Sequence, residues 1–507
     1  MDKPARQGLK RRQLLSVAGA GAAAAMVGPV EALPRASVPG WDEQVDVLVA
    51  GSGAAGTCAA IEARRAGAGV RLLESLAVPG GSSTLSGGVV YAGGGTSLQR
   101  ALKVVDSPEA MFNYLLRAGS AQPPRDKIQL YCEQSPEHFD WLVAQGVRYT
   151  EKMTTAKGLP MGDESLYYSG GELSWPARDF SVPAPRGHVP GVDGMNGGRH
   201  MMEALFEQLV KLGVRPQTGA NVTRLIIESD GRVAGALVEV NGQRSYLRAR
   251  RGVVLTCGGF IHNTAMLEQY APDLSRCSVP WGGAGDLGQG INMGIGIGAA
   301  ALRMHEGFAI APIYPPENAI AGILVNAAGQ RFIAEDSYHA MLGHSIAYQQ
   351  QGRAYLVTDQ ASSYSDPQDN FPLAAESNSI GGIAAQLQLP AGALQNSVAY
   401  YNRYAEKGQD PMFNKSRAYV RPLQGPPYKA WDISVDRAFF PAHTFGGLAT
   451  TLDGAVINSF GQTIPGLFAA GRNTAGIPTA PYLASGLSVG DATFFGRRAG
   501  LAAARAA

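Results

Sequence analysis

A glycine-rich turn between a predicted strand and a predicted helix restricts the fold of this chain more than any other feature. The mainly apolar run 45–50 leads directly into residues 51–56 (GSGAAG), and a helix-like stretch follows through residue 66. A second apolar run, 69–73, ends at Glu74, about 20 residues after the turn. This order of elements is typical of dinucleotide-binding domains, in which a pyrophosphate lies against the N-terminus of the helix. The pattern predicts an α/β protein with a Rossmann-like domain.

The glycines and the acidic residue of this pattern each have a specific role. Gly51 permits the tight turn, Gly53 lets a pyrophosphate approach backbone N–H groups, and Gly56 allows the helix to pack closely on the strand. Glu74 would accept hydrogen bonds from ribose hydroxyls. A glycine-rich turn without a nucleotide is the alternative, and the acidic residue at the strand end argues against it. We therefore expect a dinucleotide at residues 51–56.

The composition narrows the class of protein. Of 507 residues 65 are glycine, and because no Gly-X-Y repeat accompanies them, the excess indicates many tight backbone sites rather than collagen. Charged residues make up 17%, the net charge is +2 and 45% of residues are hydrophobic, which excludes a disordered chain and argues against electrostatic binding of nucleic acid. The length favours two or more domains. Cys58, Cys132, Cys257 and Cys277 form no CxxC pair, so we expect no structural metal site.

The first forty residues (1–40) resemble an export signal followed by a linker. The basic pair Arg11-Arg12 precedes a short apolar stretch of small residues, 16–28, with a small residue for cleavage near Ala32. Adjacent arginines favour the twin-arginine route, which exports proteins already folded, and the stretch is shorter than the roughly 20 residues of a membrane span. A membrane anchor and a chance basic start are the alternatives. We expect a soluble mature protein in the periplasm or outside the cell.

Further segments carry a family resemblance. Glycines and hydroxyl residues crowd 80–88, a strand-like run at 253–260 contains paired glycines, and a strand and turn at 464–472 precede a C-terminal motif at 485–500. In these segments the chain resembles the flavoproteins related to fumarate reductase and the 3-ketosteroid dehydrogenases, over roughly residues 44–503. The resemblance implies FAD. Relatives with covalent flavin carry a histidine in the first of these segments, and its absence here implies that FAD is held non-covalently.

The resemblance also implies which residues contact FAD. They comprise the glycine turn, the acidic strand end, the glycine- and serine-rich segment, an adenine contact, and the later glycine motifs. The implied contact residues are Gly51, Ser52, Gly53, Ala55, Gly56, Glu74, Ser75, Gly81, Ser82, Ser83, Ser86, Gly87, Gly88, Val222, Cys257, Gly258, Gly259, Asp286, Gly471, Arg472, Leu487 and Ser488. Among them, Arg472 replaces a glutamate that is common in the wider family.

The separation of these motifs implies that one domain is inserted into another. The FAD-binding domain takes residues 41–300 and resumes at 441–507, and residues 301–440 form the cap that covers the substrate in the family. The predicted fold is therefore α/β, a Rossmann-like FAD-binding domain with an inserted α+β substrate-capping domain. The interface between the two domains is the expected place for the active site.

The residues present disfavour reduction of a dicarboxylate, the reaction of the fumarate reductase branch. That branch clamps its substrate with cationic side chains, because a guanidinium matches the geometry of a carboxylate. Its proton-donating arginine lies four residues after the glutamate of an Asn-Glu pair, and here Ala334-Glu335 is followed by His339. Its second arginine position holds Leu483, and only His443 matches.

The 3-ketosteroid dehydrogenase branch fits better, because it buries an apolar ketone and relies on tyrosines. Tyr482 and Gly486 have the Tyr-x-x-x-Gly spacing with which the branch binds the 3-keto oxygen through a hydroxyl and a backbone N–H. Tyr314 lies in the region of the branch's base, and Ser485 resembles a serine of its 4-dehydrogenases. The resemblance implies proton removal by a tyrosine and hydride transfer to flavin, with 1,2- and 4,5-desaturation both open.

The sequence thus predicts an FAD-dependent oxidoreductase that desaturates a 3-ketosteroid or a similar alicyclic ketone. An ene-reductase acting on an enone or an unsaturated acid is the enzymatic alternative, and a flavin-binding protein without turnover is the other. The expected partners are a small apolar ketone and an unidentified electron acceptor, with no nucleic acid, no metal and no stable membrane span.

Overall fold

The computed structural model describes residues 28–313, 317–363 and 370–506. The strands are β1 (Leu33–Pro34), β2 (Glu43–Ala50), β3 (Val70–Leu73), β4 (Val90–Tyr91), β5 (Leu166–Tyr167), β6 (Gly187–His188), β7 (Ala220–Ile227), β8 (Val233–Val240), β9 (Gln243–Leu255), β10 (Val279–Pro280), β11 (Ala301–Leu302), β12 (Gly307–Ala309), β13 (Ile323–Asn326), β14 (Ala354–Thr358), β15 (Leu373–Ser377), β16 (Tyr428–Asp432), β17 (Pro441–Thr444), β18 (Gly447–Leu448), β19 (Ala455–Ile457) and β20 (Thr463–Ala469). The α-helices are α1 (Ala54–Arg65), α2 (Gly81–Leu85), α3 (Ser97–Ala101), α4 (Pro108–Arg117), α5 (Arg125–Ala144), α6 (Ala177–Phe180), α7 (Gly197–Lys211), α8 (Thr264–Tyr270), α9 (Pro272–Ser275), α10 (Gln289–Ile295), α11 (His339–His344), α12 (Ile380–Gln386), α13 (Ala393–Ala405) and α14 (Leu487–Arg505).

The largest sheet has eight strands and carries the predicted nucleotide-binding motif. Its order is β1-β7-β8-β9-β2-β3, and β20, paired with β19, joins the last residues of β9. Four of its strands, β20, β9, β2 and β3, are parallel neighbours, so their carboxyl ends lie at one edge. In open parallel sheets ligands bind outside the carboxyl ends of the strands. The predicted Rossmann-like fold is confirmed, and its sheet edge is the place to look for a site.

Close packing of two helices brings the C-terminal motif to this edge. Helix α14 runs parallel to α1, and Gly496 and Gly500 face the backbone of Ala55 and Ala59. A Cβ at either glycine would lie 2.4 Å or 2.1 Å from a carbonyl oxygen of α1, so no other residue permits this approach. Part of the glycine surplus therefore serves helix packing rather than ligand contact.

The inserted segment forms a separate sheet with its own helices, as the predicted α+β cap requires. Antiparallel strands in the order β13-β14-β16-β15 carry α12 and α13 on one side. A buried ion network ties the segment together: Arg331 binds Glu335 (2.8 Å) and Asp410 (2.9 Å), and Lys415 binds Glu335 (3.2 Å). Two strand pairs, β11 with β18 and β12 with β17, lie where the chain leaves and re-enters the first domain. The predicted boundaries at 301 and 440 fall beside these pairs.

Residues 1–40 were predicted to be an export signal and a linker, but within the described part, 28–40, the chain contributes a strand to the large sheet. Val30 is 4% exposed, and its N–H donates to the carbonyl of Asn292. The following residues form β1, which pairs in parallel with β7 at the edge of the large sheet. Burial of the Val30 side chain and hydrogen bonding to the edge strand β7, which would otherwise be unpaired, both stabilise this segment on the sheet. The predicted signal core lies mostly within residues 1–27, outside the described residues.

Across the described ranges, no helix is long and apolar enough to cross a membrane. The same residues contain no group of three or more histidine, cysteine, aspartate or glutamate side chains arranged to hold a metal ion.

Buried histidines make the fold sensitive to acid. His188 is fully buried between the Thr96 hydroxyl (2.9 Å) and the carbonyl of Arg186 (2.9 Å), and burial lowers the pKa of His188 to about 4. Because its pKa in the unfolded chain is about 6.5, its contribution to the free energy of unfolding is complete above pH ~6.5 and is lost as the pH falls towards ~4. We expect His188→Gln to reduce the loss of stability between pH ~7 and ~4.5 by about 2–3 kcal/mol. Urea unfolding at both pH values measures this, and an unchanged pH dependence would contradict it.

Candidate functional site

A deep cleft lies along the carboxyl ends of the parallel strands. It encloses about 1180 Å³, including its open mouth, between the glycine turn, the N-terminus of α14 and the loop that precedes α10. Most of the residues implied as cofactor contacts line it. These are Gly51, Ser52, Gly53, Ala55, Glu74, Ser75, Gly81, Ser82, Ser83, Ser86, Val222, Cys257, Gly258, Asp286, Gly471, Arg472 and Ser488.

Five of the implied contact residues do not line the cleft, and packing explains four of them. A Cβ at Gly56 would lie 1.9 Å from the Gly51 carbonyl oxygen, and one at Gly88 would lie 2.3 Å from the backbone of Gly197 at the start of α7. Gly87 packs against Leu159, and Gly259 against the Thr444 hydroxyl. These glycines do not line the cleft themselves, but they let the segments that form its lining pack closely against each other. The fifth, Leu487, is buried at the first position of α14.

The glycine turn is held by the groups predicted to bind nucleotide. Gly51 has φ +102°, and a Cβ there would lie 2.4 Å from the Thr256 carbonyl oxygen. Glu74, at the end of β3, accepts hydrogen bonds from the Ser52 N–H (3.1 Å) and hydroxyl (2.6 Å). Its other oxygen accepts a hydrogen bond from the Leu76 N–H (3.0 Å), and Glu74 is one of the residues that line the cleft. Glu74 therefore fixes the turn, and the remaining acceptor sites of its carboxylate suit ribose hydroxyls.

Three buried polar atoms on the lining have no hydrogen-bond partner among the described residues. Arg472 uses one nitrogen to bind Asp286 (2.5 Å) and Ser82 (2.6 Å), and its Nη1 is unpaired. The others are Oγ of Ser488 and Nε2 of His443, whose ring stacks on Phe308 at 4.5 Å. Burial and the nearby Arg472 charge hold the pKa of His443 well below its usual range, so its ring is neutral. Buried unpaired donors are rare in folded proteins and mark the place of a polar ligand.

Some lining residues were missed by the sequence analysis. Trp281, Gly283 and Gln289 belong to the loop before α10 and its first turn, and the Gln289 amide binds the carbonyl of Val222 (2.9 Å). Only Asp286 of this loop was predicted. The signal available was its density of glycines, which does not distinguish one lining residue from another.

A second group of predicted residues lies on the loop that leads into α14. The Tyr482 hydroxyl accepts a hydrogen bond from the Ser488 N–H (2.9 Å), and its ring packs against Phe308 and Phe445. Burial raises the pKa of Tyr482, and backbone N–H groups at the start of α14 partly offset this. Gly486 begins the helix with φ +101°, and a Cβ there would lie 2.5 Å from the Tyr91 nitrogen. The tyrosine is therefore a neutral hydroxyl at a helix N-terminus.

Ser485 has a partner that the sequence did not indicate. Its hydroxyl lies 2.7 Å from the hydroxyl of Tyr338, which immediately precedes α11 in the cap. Hydrogen bonds in both directions with Ser169 (2.8 and 2.9 Å) hold the Ser485 backbone. Ser485 and Tyr338 also line a second cavity of about 520 Å³ with both polar and apolar walls, together with Lys157 and His339. Tyr314, predicted as the base, lies outside the described residues and stays a prediction.

The comparison with protein families decides what the cleft holds. The family described as "FAD binding domain" matches residues 46–489. The chain belongs to this family. This flavoprotein is 30% identical to the 3-oxo-5-alpha-steroid 4-dehydrogenase of Comamonas testosteroni, over 88% of this chain and 96% of that protein. It is 28% identical to a fumarate reductase (cytochrome) of Shewanella frigidimarina, over 91% of this chain and 77% of that one.

A solved structure is also similar along its whole length. The 3-ketosteroid-Δ4-(5α)-dehydrogenase of Rhodococcus jostii RHA1, in complex with 4-androstene-3,17-dione, is 39% identical, with a TM-score of 0.88 over 94% of this chain and 100% of that chain. The predicted resemblance to 3-ketosteroid dehydrogenases is confirmed by these matches, as is FAD as the cofactor. The unpaired donors of the cleft and its glycine turn fit that dinucleotide. The chain is an FAD-dependent oxidoreductase.

The glycine turn provides a test of the cofactor site. We expect Gly51→Ala to weaken FAD binding by about 10–100-fold, because the new Cβ adds backbone strain and meets the Thr256 carbonyl. Gly67→Ala is the matched control, since Gly67 also has positive φ (+84°) but no atom lies within 4 Å of its added Cβ. Flavin absorbance per polypeptide after dialysis measures the effect. Equal loss of flavin in both variants would contradict a local role for Gly51.

Proposed function

We propose that this flavoprotein oxidises 3-keto-5α-steroids by introducing a double bond between C4 and C5. The observation that carries the proposal is the hydrogen bond between the hydroxyls of Ser485 and Tyr338 (2.7 Å). Ser485 lies three residues after Tyr482 and directly before Gly486, so the pair is next to the predicted carbonyl-binding groups. A carbonyl-binding hydroxyl and a proton acceptor are the two groups that removal of hydrogen beside a ketone needs. Two similar proteins, one a curated relative and one a solved structure, are 4-dehydrogenases of 3-ketosteroids.

Each residue near the loop before α14 has a distinct role in the proposed oxidation. The Tyr482 hydroxyl and the Gly486 N–H bind the 3-keto oxygen and stabilise the negative charge that develops on it. This makes the C4–H acidic, and Ser485 Oγ takes the C4 proton while passing its own hydroxyl proton to Tyr338 Oη. Tyr338 at the same time releases its own hydroxyl proton to water, so both side chains end the step neutral. Bound FAD supplies the acceptor for the hydride that leaves C5. Ser485 and Tyr338 both line the second cavity, and we infer that water in it accepts the proton that Tyr338 releases.

The positions that would clamp a dicarboxylate support this reading over the fumarate reductase alternative. Leu483 is 3% exposed in an apolar cluster with Tyr482 and Phe445. Glu335 is bound within the ion network of the cap. Burial lowers the pKa of His339 to about 3, so this residue is neutral and supplies no cation at neutral pH. An apolar ketone needs none of these charges.

The proposal is tested by reduction of the bound flavin. FAD-loaded enzyme is mixed anaerobically with 5α-, 5β- and 4-ene-3-ketosteroids, and the flavin absorbance is followed. We expect bleaching by the 5α-3-ketosteroids. Reoxidation of the reduced enzyme by an enone, without any reduction by the saturated ketone, would instead select the ene-reductase. Absence of bleaching by the whole panel would overturn the proposal.

We further propose that the twin-arginine pair directs export to the periplasm or the cell exterior. Burial of Val30 and the pairing of β1 favour cleavage before Val30 rather than near Ala32, because the later cut would remove Val30 from the core. Fractionation of cells that express the chain, with Arg11 and Arg12 replaced together by lysine as the control, tests it. Retention of both forms in the cytoplasm would contradict export.

A further inference from the structure

The segment that precedes Tyr482 is held by two buried carboxylates, Glu306 and Asp491, and two half-buried cations, Lys127 and Arg303. Residues 475–480 form no helix or strand, and two cations bind carbonyl groups of this segment while two carboxylates bind its N–H groups. The contacts are Lys127 Nζ with the Ala475 carbonyl (3.0 Å), Arg303 with the carbonyls of Gly476 and Pro478 (3.3 Å to Pro478), Asp491 with the Ile477 N–H (2.8 Å), and Glu306 with the Ala480 N–H (3.1 Å). We call residues 475–480 the clamped loop.

The four charged residues come from both sides of the junction between domains. Lys127 lies on α5 and Asp491 on α14, both in the FAD-binding domain. Arg303 and Glu306 lie between β11 and β12, in the connection that leads into the cap. Arg303 has φ +51°, a strained conformation for a residue other than glycine, which persists only where surrounding contacts hold it. The clamped loop is therefore bound to the FAD-binding domain and to the junction at the same time.

Apolar packing alone would hold this loop less specifically. Burying charged groups is expensive, and each carboxylate and cation here recovers part of that cost by binding backbone groups with fixed direction. Glu306 is 5% exposed and also accepts a hydrogen bond from Ser120 (3.4 Å) and pairs with Arg303 (3.6 Å). Its position is thus fixed from three directions. Because Ala480 is two residues before Tyr482, the orientation of the Ala480 peptide group determines the position of the Tyr482 backbone and hence of its hydroxyl.

We propose that Glu306 and Arg303 are positioning residues that place Tyr482 for the substrate carbonyl, and that they link this placement to the junction of cap and FAD-binding domain. The inference rests on the proposed function, since it assigns Tyr482 the role of carbonyl donor. Neither residue touches the cofactor cleft or the Ser485–Tyr338 pair. Displacement of a reacting group by about 1 Å is enough to lower a rate by roughly 10²-fold.

The test compares Glu306→Gln with Asp436→Asn, which makes the same charge change in an exposed ion pair with Arg353 (3.1 Å). We expect E306Q to retain FAD and to lower kcat by about 10–100-fold, with KM changing by less than about threefold. D436N should match the wild type. The kcat-against-KM split separates misplacement of Tyr482 from general loss of folded enzyme.

A second measurement reports on the carbonyl directly. The infrared carbonyl stretch of an isotope-labelled 4-en-3-one bound to the enzyme is lowered by a hydrogen bond from Tyr482, and we expect E306Q to lose this lowering as Tyr482→Phe does. A wild-type stretch and wild-type kcat in E306Q would overturn the inference. If E306Q does not retain FAD, Arg303→Lys is measured in the same way. Absence of any shift in the wild type would instead count against the proposed function.

Discussion

Replacement of Ser485 by alanine, or of Tyr338 by phenylalanine, is expected to lower kcat for steroid oxidation by roughly 10²- to 10⁴-fold while FAD stays bound. The two hydroxyls lie 2.7 Å apart, so removing either one breaks the hydrogen bond through which a proton would pass between them. The pair acts as one unit, and the double variant should therefore be little slower than the slower single variant.

Stopped-flow reduction of the flavin by a 5α-3-ketosteroid measures this effect apart from reoxidation. Tyr401→Phe is the control, because Tyr401 is another buried tyrosine, its hydroxyl binds the Arg421 N–H, and it lies in the apolar cluster of the cap. Near wild-type reduction in both S485A and Y338F would remove the pair from the reaction. In that case Tyr314, the base implied by the family resemblance, would be the next residue to replace.

Tyr482→Phe is expected to lower kcat by about 10²- to 10³-fold, because it removes a hydrogen bond that strengthens as charge develops on the keto oxygen. Burial raises the pKa of Tyr482, so the side chain is a neutral donor across the ordinary range of assay pH. The variant should therefore show the same pH profile as the wild type at a lower rate. Phenylalanine keeps the ring packing against Phe308 and Phe445, which limits the structural effect of the change.

Rates of flavin reduction across a pH series, with FAD content as the reference, measure the effect of Tyr482→Phe. Unchanged kinetics would exclude a role in carbonyl binding. If the protein only carried flavin, a 3-ketosteroid would not reduce the flavin of the wild type either, so the wild-type rate distinguishes an enzyme from a flavin carrier.

The cofactor cleft could be predicted because its chemistry is local. Gly51, Gly53 and Glu74 are spaced by the strand–turn–helix–strand unit itself, so their relative positions follow from the chain. Gly88 and Gly259 were expected to contact FAD only because of the family resemblance. Both allow segments that are distant in sequence to pack closely, which is a second reason for a glycine at these positions. A glycine in the sequence indicates that another group comes close to the backbone, but not whether that group is a ligand or another segment of the chain.

The reaction site could be predicted only in part. Ser485 and Tyr482 belong to a short motif, whereas Tyr338 lies 147 residues from Ser485 and reaches it through the placement of the cap. No periodicity or spacing encodes that contact. The charged groups around the clamped loop were missed for the same reason, since Lys127, Arg303 and Glu306 are unremarkable among the charged residues of the sequence.

The position of the new double bond tests the central claim most directly. FAD-loaded enzyme is incubated with a saturated 5α-3-ketosteroid and an artificial electron acceptor, and the product is identified by nuclear magnetic resonance. The account predicts a 4-ene-3-ketone, with loss of the hydrogens at C4 and C5. A 1-ene product, or no product from enzyme that holds its FAD, would contradict it.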